Sequence, residues 1–387
     1  MTRKEIPKNW DVLKLKFVAT ILNGQDQKGV IEENGKYPIY GTGGIFGRAN
    51  QYLYKGPSVL LGRKGTIDKP IFVESPFWSV DTAYYTKISK KVLPQFFFHL
   101  CNQINFDYYV YGSAVPSMTS RDLNQIKFPI PSILEQNSIL RFLNNKTGQI
   151  DLFIANRNKQ IELLKEQKAA IINKAVTKGI ETAVRMKPSG IEWLPEIPTT
   201  WNVWKMKFLT RIETGNKNTD DAVENGEYPF FVRSDKVERL STYSFDGEAI
   251  LTAGDGVGVA KVFHYANCKM AIHQRVYKIF HFKKILGEFL YFYLRDNFYK
   301  EVIKLSAKTT VDSLRMPMLA NFLVAYPTID EQKEILSFIK IESTTIDNLI
   351  TKYQKQIDLM QEYRTSLISQ AVTGKIDLRD WKPKMKK

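Results

Sequence analysis

The sequence predicts an α+β chain in which two pseudo-twofold-related globular parts of mixed α and β structure are separated by an antiparallel two-helix coiled coil. Three observations predict it. Residues 6 to 180 recur as residues 197 to 376, each copy opens with short β-type runs broken by turn residues, and each copy closes in a long stretch whose apolar positions step by four and three.

The repeat comes first because it sets the architecture. IPKNWDVLKLKF (Ile6 to Phe17) returns as IPTTWNVWKMKF (Ile197 to Phe208), ENGKYP (Glu33 to Pro38) as ENGEYP (Glu224 to Pro229), and IDLFIANRNKQIELLKEQ (Ile150 to Gln167) as IDNLITKYQKQIDLMQEY (Ile346 to Tyr363). The offset is 191 positions at the start and 196 at the second Ile-Asp, so the insertions lie between, where the copies agree least. A repeat of this length is a whole domain plus a helix rather than a solenoid unit. Two such copies in one chain form a pseudo-dimer, alike in frame and different in detail.

Within the first globular part, Val59 to Leu61, Ile71 to Val73 and Ala83 to Ile88 have the β-branched and aromatic content of strands, punctuated by Gly62, Gly65 and Pro70. The second part repeats this with Ala249 to Thr252, Val259 to Phe263 and Val276 to Phe280. An apolar helical stretch follows in each, Pro94 to Asn105 and Gly287 to Phe298, and then a variable loop. Each part is then about 130 to 140 residues, an ordinary domain size.

The long helices begin at readable signals. In Pro131-Ser132-Ile133-Leu134-Glu135 and Pro327-Thr328-Ile329-Asp330-Glu331 a hydroxyl residue stands three before a glutamate, the spacing of a capping box. Helix initiation accounts for that pattern, and Glu135, Gln136, Glu331 and Gln332 receive no catalytic role. Beyond, the seam of the first helix is Ile150, Ile154, Arg157, Ile161, Leu164, Lys168, Ile171 and Ala175; that of the second is Ile346, Ile350, Tyr353, Ile357, Met360, Arg364, Leu367 and Ala371. A sustained 3.5-residue period in the same register in both copies predicts that the two helices pair. Arg157, Lys168 and Arg364 are expected to reach to the rim and to weaken the seam. Connectivity favours the antiparallel pair, because the joining segment then only turns a corner. Roughly 30 residues of helix span ~45 Å, about 13 base pairs of B-DNA. The expected division is 1–145 (first part), 146–180 (first long helix), 181–196 (linker), 197–340 (second part), 341–376 (second long helix) and 377–387 (basic tail).

Composition narrows the function. At 387 residues and 43% hydrophobic, two sizeable cores are possible. A formal charge of +16 points to an anionic partner, for which nucleic acid is the commonest, although a basic balance also serves plain solubility. The two cysteines, Cys101 and Cys268, do not correspond between copies and read as buried bystanders in a reducing cytosol. The polar N-terminus and the short apolar stretches predict a soluble, cytoplasmic chain with no leader and no membrane partner.

Gly41-Thr42-Gly43-Gly44-Ile45-Phe46-Gly47 is not a dinucleotide fingerprint: its third glycine is one place late, and a glycine-rich surface loop fits better. Gly62-Arg63-Lys64-Gly65-Thr66 and Gly254-Asp255-Gly256-Val257-Gly258 sit at matching places and lack the Lys-Ser/Thr of a P-loop. They are either turns or loops whose glycines let backbone approach a phosphate chain, with Arg63 and Lys64 set for phosphate or guanine. No methyltransferase Asn-Pro-Pro-aromatic element, nuclease cluster or zinc spacing is found, and His99, His264, His273 and His281 are not paired with a nucleophile. A chain without its own chemistry, and without metal or cofactor, is expected.

Taken together, the paired Ile-Pro-x-x-Trp openings (Trp10, Trp201), the Pro-x-x-x-Glu-Gln helix starts, the ending Gln-Ala-Val-Thr-Gly-Lys-Ile (Gln370 to Ile376, with Lys174 to Ile180 as the looser copy) and the linker Lys187 to Pro198 resemble the specificity subunit of type I restriction-modification systems. The resemblance covers nearly the whole chain. It implies that the globular parts are target recognition domains, each reading half of a split double-stranded DNA sequence. It also implies that the helices act as spacer and as docking surface for two methyltransferase subunits, joined by restriction subunits, with AdoMet, ATP and Mg2+ held by those partners. The first helix end departs, carrying Lys178-Gly179 where the second has Gly374-Lys375. A stand-alone DNA-modifying enzyme and a plain RNA- or DNA-binding module that stacks bases on its aromatic residues are the rival readings. Candidate DNA-contacting residues are Tyr40, Thr42, Arg63, Lys64, Ser113 and Thr119 in the first part, and Asn216, Lys217, Arg233, Ser234, Lys308 and Thr309 in the second. All are polar or basic and lie in glycine-flanked or variable segments.

Overall fold

The computed structural model of the chain describes residues 6–109, 116–256, 259–305 and 313–382. Ser113, Lys308 and Thr309 lie outside them.

The first copy runs β1 (Asp11–Lys14), β2 (Ala19–Asn23), β3 (Tyr37–Gly41), β4 (Gly44–Ala49), β5 (Ser58–Gly62), β6 (Ile71–Val73), β7 (Trp78–Ser79), β8 (Ala83–Ile88), α1 (Pro94–Cys101), α2 (Ser120–Gln125), β9 (Lys127–Ile130) and the long α3 (Ile133–Lys178). The second continues with β10 (Met186–Ile191), β11 (Leu194–Pro198), β12 (Asn202–Lys205), α4 (Met206–Leu209), β13 (Arg211–Thr214), β14 (Tyr228–Phe231), β15 (Val237–Leu240), β16 (Phe245–Ala253), β17 (Phe263–Ile272), β18 (Val276–Phe280), α5 (Gly287–Leu305), α6 (Met316–Asn321), β19 (Leu323–Tyr326) and the long α7 (Ile329–Val372).

Contacts divide the chain into two units that do not follow the repeat boundary. One joins residues up to Arg157 with those from Gln354 onward; the other is Asn158–Tyr353. In the first unit the sheets are β2-β8-β5-β6, β4-β3-β7 and the pair β1-β9. Its core gathers Leu15, Phe96, Phe97 and Leu100 with Ile139, Leu143 and Ile150 of α3 and Leu367, Ala371 and Val372 of α7. In the second unit one six-stranded sheet, β13-β18-β16-β17-β14-β15, replaces the two larger sheets. Its core joins Trp201, Phe289, Tyr293 and Phe298 to Ile172, Ala175 and Val176 of α3 and Ile335 and Ile339 of α7.

The sheets differ for a local reason. Where the second copy has the unbroken ten-residue β17, which pairs antiparallel with β16 and parallel with β14, the first has β6, the segment Glu74-Ser75-Pro76-Phe77, and β7. Proline cannot donate a ladder hydrogen bond, so the strand breaks there and the sheet separates in two. The expected strand Val259 to Phe263 is corrected: β17 starts at Phe263 and runs on to Ile272.

Within each unit the long helices run antiparallel. In the first, Arg364 Nη1 lies 3.2 Å from Asp151 Oδ1, and in the second Lys168 Nζ lies 2.7 Å from Asp347 Oδ2. Lys168 and Arg364 thus find acceptors on the opposing helix, and of the seam positions only Arg364 is exposed. Ile150, Ile161, Ile346, Ile357 and Leu367 are buried, while Ile154, Leu164, Ile171, Ile350 and Met360 are half-buried.

Both helix ends turn on a glycine in the left-handed region, Gly179 at φ 77° and Gly374 at φ 78°. The departure at Lys178-Gly179 is a difference of motif. Gly374 N–H donates to Ala371 O and Lys375 N–H to Gln370 O, a Schellman end, whereas Gly179 N–H donates to Ala175 O in the simpler left-handed end. Gly179 lies against Trp201 and Glu331, and Gly374 against Pro7 and Trp10. The end of each long helix is thus built into the unit formed around the other repeat's opening motif.

Several expected boundaries move. Residues 145/146 and 340/341 fall inside continuous helices, because initiation occurs at Ser132 and Thr328. The linker is a β-hairpin, β10 against β11, since Ile191, Leu194 and Ile197 are apolar enough to be buried. The tail begins packed, with Leu378 buried and Trp381 stacked edge-on against Phe142 at 5.3 Å. Cys101 is buried, but Cys268 is exposed on β17 and is no core residue.

Helix capping explains only part of the Glu-Gln pairs. Ser132 Oγ accepts from Glu135 N–H, but the Glu135 carboxylate turns to Trp10 Nε1 at 2.9 Å; Glu331 accepts from Trp201 Nε1 at 2.8 Å. Gln136 is fully buried, accepting from Leu93 N–H and donating to Lys91 O and Pro131 O. Gln332 repeats this with Leu286 N–H, Lys284 O and Pro327 O. The Ile-Pro-x-x-Trp and Glu-Gln motifs are two halves of one clamp, present once in each unit.

Candidate nucleic-acid interface

In the first part the interface candidate is built where β5 ends. Gly62 has no room for a side chain, since a Cβ would meet Thr66 O at 2.5 Å, and Gly65 takes φ 88°. The tight loop between them presents Arg63 and Lys64. Arg63 and Lys64 N–H both donate to Thr82 O (2.9 and 3.1 Å), Gly65 N–H to Pro116 O and Met118 N–H to Arg63 O. The segment leading to Thr119 is thereby stitched to the loop. Thr42, at the tip of the β3-β4 hairpin, is the third neighbour: a Cβ on Gly65 would sit 3.3 Å from its Oγ1. The glycine-rich run Gly41 to Gly47 is therefore a hairpin, paired Gly41 with Gly44.

Two candidates also serve the fold. Tyr40 is half-buried against Phe77, ring centroids 5.9 Å apart, and loss of water raises its hydroxyl pKa. Thr119 caps α2: its Oγ1 donates to Asp122 Oδ2 at 2.6 Å and accepts from Asp122 N–H at 3.2 Å. Its position on the face remains, but its hydroxyl is committed.

The second part uses the same frame with other side chains. Gly254 N–H donates to Arg275 O at 2.8 Å, Leu314 N–H to Gly254 O at 2.7 Å, and Gly256 takes φ 80°. By these bonds Asp255 stands where Lys64 stands and Arg275 where Thr82 stands; Phe231 O accepts from His273 N–H as Tyr40 O accepts from Val80 N–H, so Arg233, two residues beyond Phe231, stands where Thr42 stands. Arg233 Nη1 donates to Asp255 Oδ1 at 2.9 Å and Arg275 Nη1 to Oδ2 at 2.8 Å. Burial raises the Asp255 pKa, but the hydrogen bonds and charges of both arginines outweigh it and hold the carboxyl below its usual range. Ser234 is exposed, its carbonyl 3.0 Å from His264 Nε2. Asn216 and Lys217 N–H both donate to Ile272 O, beside Gln274, whose N–H donates to Lys217 O. His273, buried and lowered in pKa by desolvation and by Arg233 and Arg275, accepts Arg275 N–H at Nδ1.

Thr42, Arg63, Lys64 and the Thr119 segment are thus brought together in one unit, and Arg233 and Ser234 in the other, beside Asn216 and Lys217. Sequence reading passed over Asp255, Gln274 and Arg275. The signal for them was the repeat itself: Asp255 follows from laying Gly254-Asp255-Gly256 on Arg63-Lys64-Gly65. Among the described residues no group of three or more His, Cys, Asp or Glu forms a metal-ligand set. No helix among them is long and apolar enough to cross a membrane.

A doubled frame with matched loops of unlike chemistry defines a two-part recognition protein. A family model described as the type I restriction modification DNA specificity domain matches twice, over residues 7–163 and 198–359. The chain belongs to that family, the DNA specificity subunits of type I restriction-modification systems. It is 25% identical to the type I restriction enzyme MjaVIII specificity subunit of Methanocaldococcus jannaschii, over 97% of this chain and 95% of that one. It is 23% identical to the putative specificity subunit S.HindORF215P of Haemophilus influenzae, over 87% and 88%. Among solved structures, a chain from a study of complex assembly and conformational transition in the type I R-M system has TM-score 0.69 at 14% identity, covering 96% of this chain and 99% of that one. The HsdS subunit from Thermoanaerobacter tengcongensis has TM-score 0.54 at 13% identity, covering 97% and 100%. These likenesses show the fold.

Proposed function

We propose that the chain reads a bipartite duplex sequence, one half through each globular part, and carries out no chemistry of its own. In this reading the long helices hold two methyltransferase subunits, which bind AdoMet, and restriction subunits that use ATP and Mg2+ join the complex in the cytoplasm. The observation that carries it is the pair of matched faces: Thr42, Lys64 and Thr82 on one, Arg233, Asp255 and Arg275 on the other, set on equivalent backbone positions. A reader of two different half-sites needs a constant frame and variable donors, because phosphate contacts position and base contacts specify. The formal charge of +16 supplies the sequence-independent attraction.

The test is methyl transfer in vitro. The purified chain with AdoMet and duplex DNA is expected to transfer nothing; with its methyltransferase subunit it is expected to direct adenine methylation to a split motif. AdoMet-dependent methylation by the chain alone would show that it is an enzyme.

A further inference from the structure

The geometry points to Arg233 and Arg275 as the guanine-reading residues of the second globular part, with Asp255 as the positioning residue that holds both guanidinium groups. The inference rests on the DNA-reading function proposed above and adds the chemical class of base.

Three observations carry it. First, the carboxylate is shared: each oxygen of Asp255 takes Nη1 of a different arginine, at 2.9 and 2.8 Å. A contact through Nη1 leaves the Nε and Nη2 edge of each guanidinium, two parallel donors, and among the described residues neither edge has an acceptor. Those are the donors that match N7 and O6 of guanine in the major groove. Second, the side chains of Arg233 and Arg275 are 43% and 59% exposed, with Asp255 at 26%. Exposed ion pairs contribute little stability, so holding the fold is a poor explanation of the cluster. A carboxylate that pins two long side chains lowers the entropy lost when they meet a base.

Third, the equivalent positions of the other part hold Thr42, Lys64 and Thr82. Two arginines and an aspartate carry one net positive charge, as one lysine does. At these positions the two faces attract phosphate alike and differ only in the shape of their donors. That is the difference expected of positions that encode sequence.

The test uses the full chain in complex with its methyltransferase subunit and a duplex bearing the motif found by methylome sequencing. Each guanine of the second half-site is replaced in turn by 7-deazaguanine, which lacks N7, and binding is followed by fluorescence anisotropy. The wild-type complex is expected to lose about tenfold or more in affinity at one or two guanines. In Arg233→Ala or Arg275→Ala the matching replacement should cost nothing further. Asp255→Asn should erode discrimination in the second half-site while that in the first half-site persists, which also shows that the variant is folded. Should an alanine variant fail to fold, Arg233→Lys and Arg275→Lys keep the charge and lose the fork, and should lose guanine discrimination alone. The inference is overturned if the second half-site holds no guanine on either strand, if 7-deazaguanine is tolerated throughout, or if the variants weaken all duplexes equally, as phosphate contacts would. Absence of sequence preference in both half-sites would instead remove the DNA-reading function itself.

Discussion

Gln136 and Gln332 show how single side chains decide the frame. Each is fully buried and satisfies one backbone N–H and two carbonyls at the start of a long helix. Replacing Gln332 by Leu keeps the volume and leaves those three groups without partners, at about 3 kcal/mol or more, since each buried unsatisfied group costs about 1–3. A lower urea midpoint is expected, with m unchanged; an unshifted midpoint would show that the clamp is not holding the helix start. The sequence displayed the glutamines without their purpose, because their partners Leu93 and Leu286 lie more than 40 residues upstream. The Trp10–Glu135 and Trp201–Glu331 bonds were hidden for the same reason, spanning 125 and 130 residues. Asp255 was hidden in another way: its role exists only when two separate segments bring Arg233 and Arg275 to it, and a lone Asp between glycines reads as a turn.

At the scale of elements, local signals read well and interruptions read badly. The helix starts at Ser132 and Thr328 and the strands β5, β8, β16 and β18 follow from hydroxyl caps and β-branched runs, which act within a few residues. The break between β6 and β7 was marked by Pro76, but its effect, a divided sheet, depends on strands distant in sequence. The hairpin of β10 and β11 looks like a linker in the sequence because its apolar residues are few. The two helix ends, alike in φ, allow a comparison. Ala at Gly179 meets nothing nearer than 3.6 Å and should cost about 1–2 kcal/mol for the left-handed backbone alone. Ala at Gly374 carries the same strain and places its Cβ 2.5 Å from Pro7 Cδ. Gly374→Ala should therefore lower the melting temperature further than Gly179→Ala; the reverse order would contradict the packing at the second helix end.

For the whole molecule the repeat was the most legible feature, since a duplicated domain announces frame and pseudo-symmetry without any contact being known. The antiparallel sense also followed from connectivity, and within each unit Asp151–Arg364 and Lys168–Asp347 give it a physical register. If the helices set the gap between half-sites, one heptad inserted in phase after both Ile161 and Ile357 adds ~10 Å of helix and should widen the gap by about three base pairs. Methylome sequencing reads that gap directly, and an unchanged gap in a variant that folds and methylates would mean that the helices do not measure it.

If each globular part reads its own half-site, exchanging one of them should move one half of the motif alone. Residues 197–330 are replaced by the corresponding segment of a relative whose second half-site differs, leaving Thr42, Arg63, Lys64, all of α3 and all but the first two residues of α7 untouched. The methylated motif in a host carrying the exchange should keep its first half and its gap and take the relative's second half. A change in both halves would contradict separate reading.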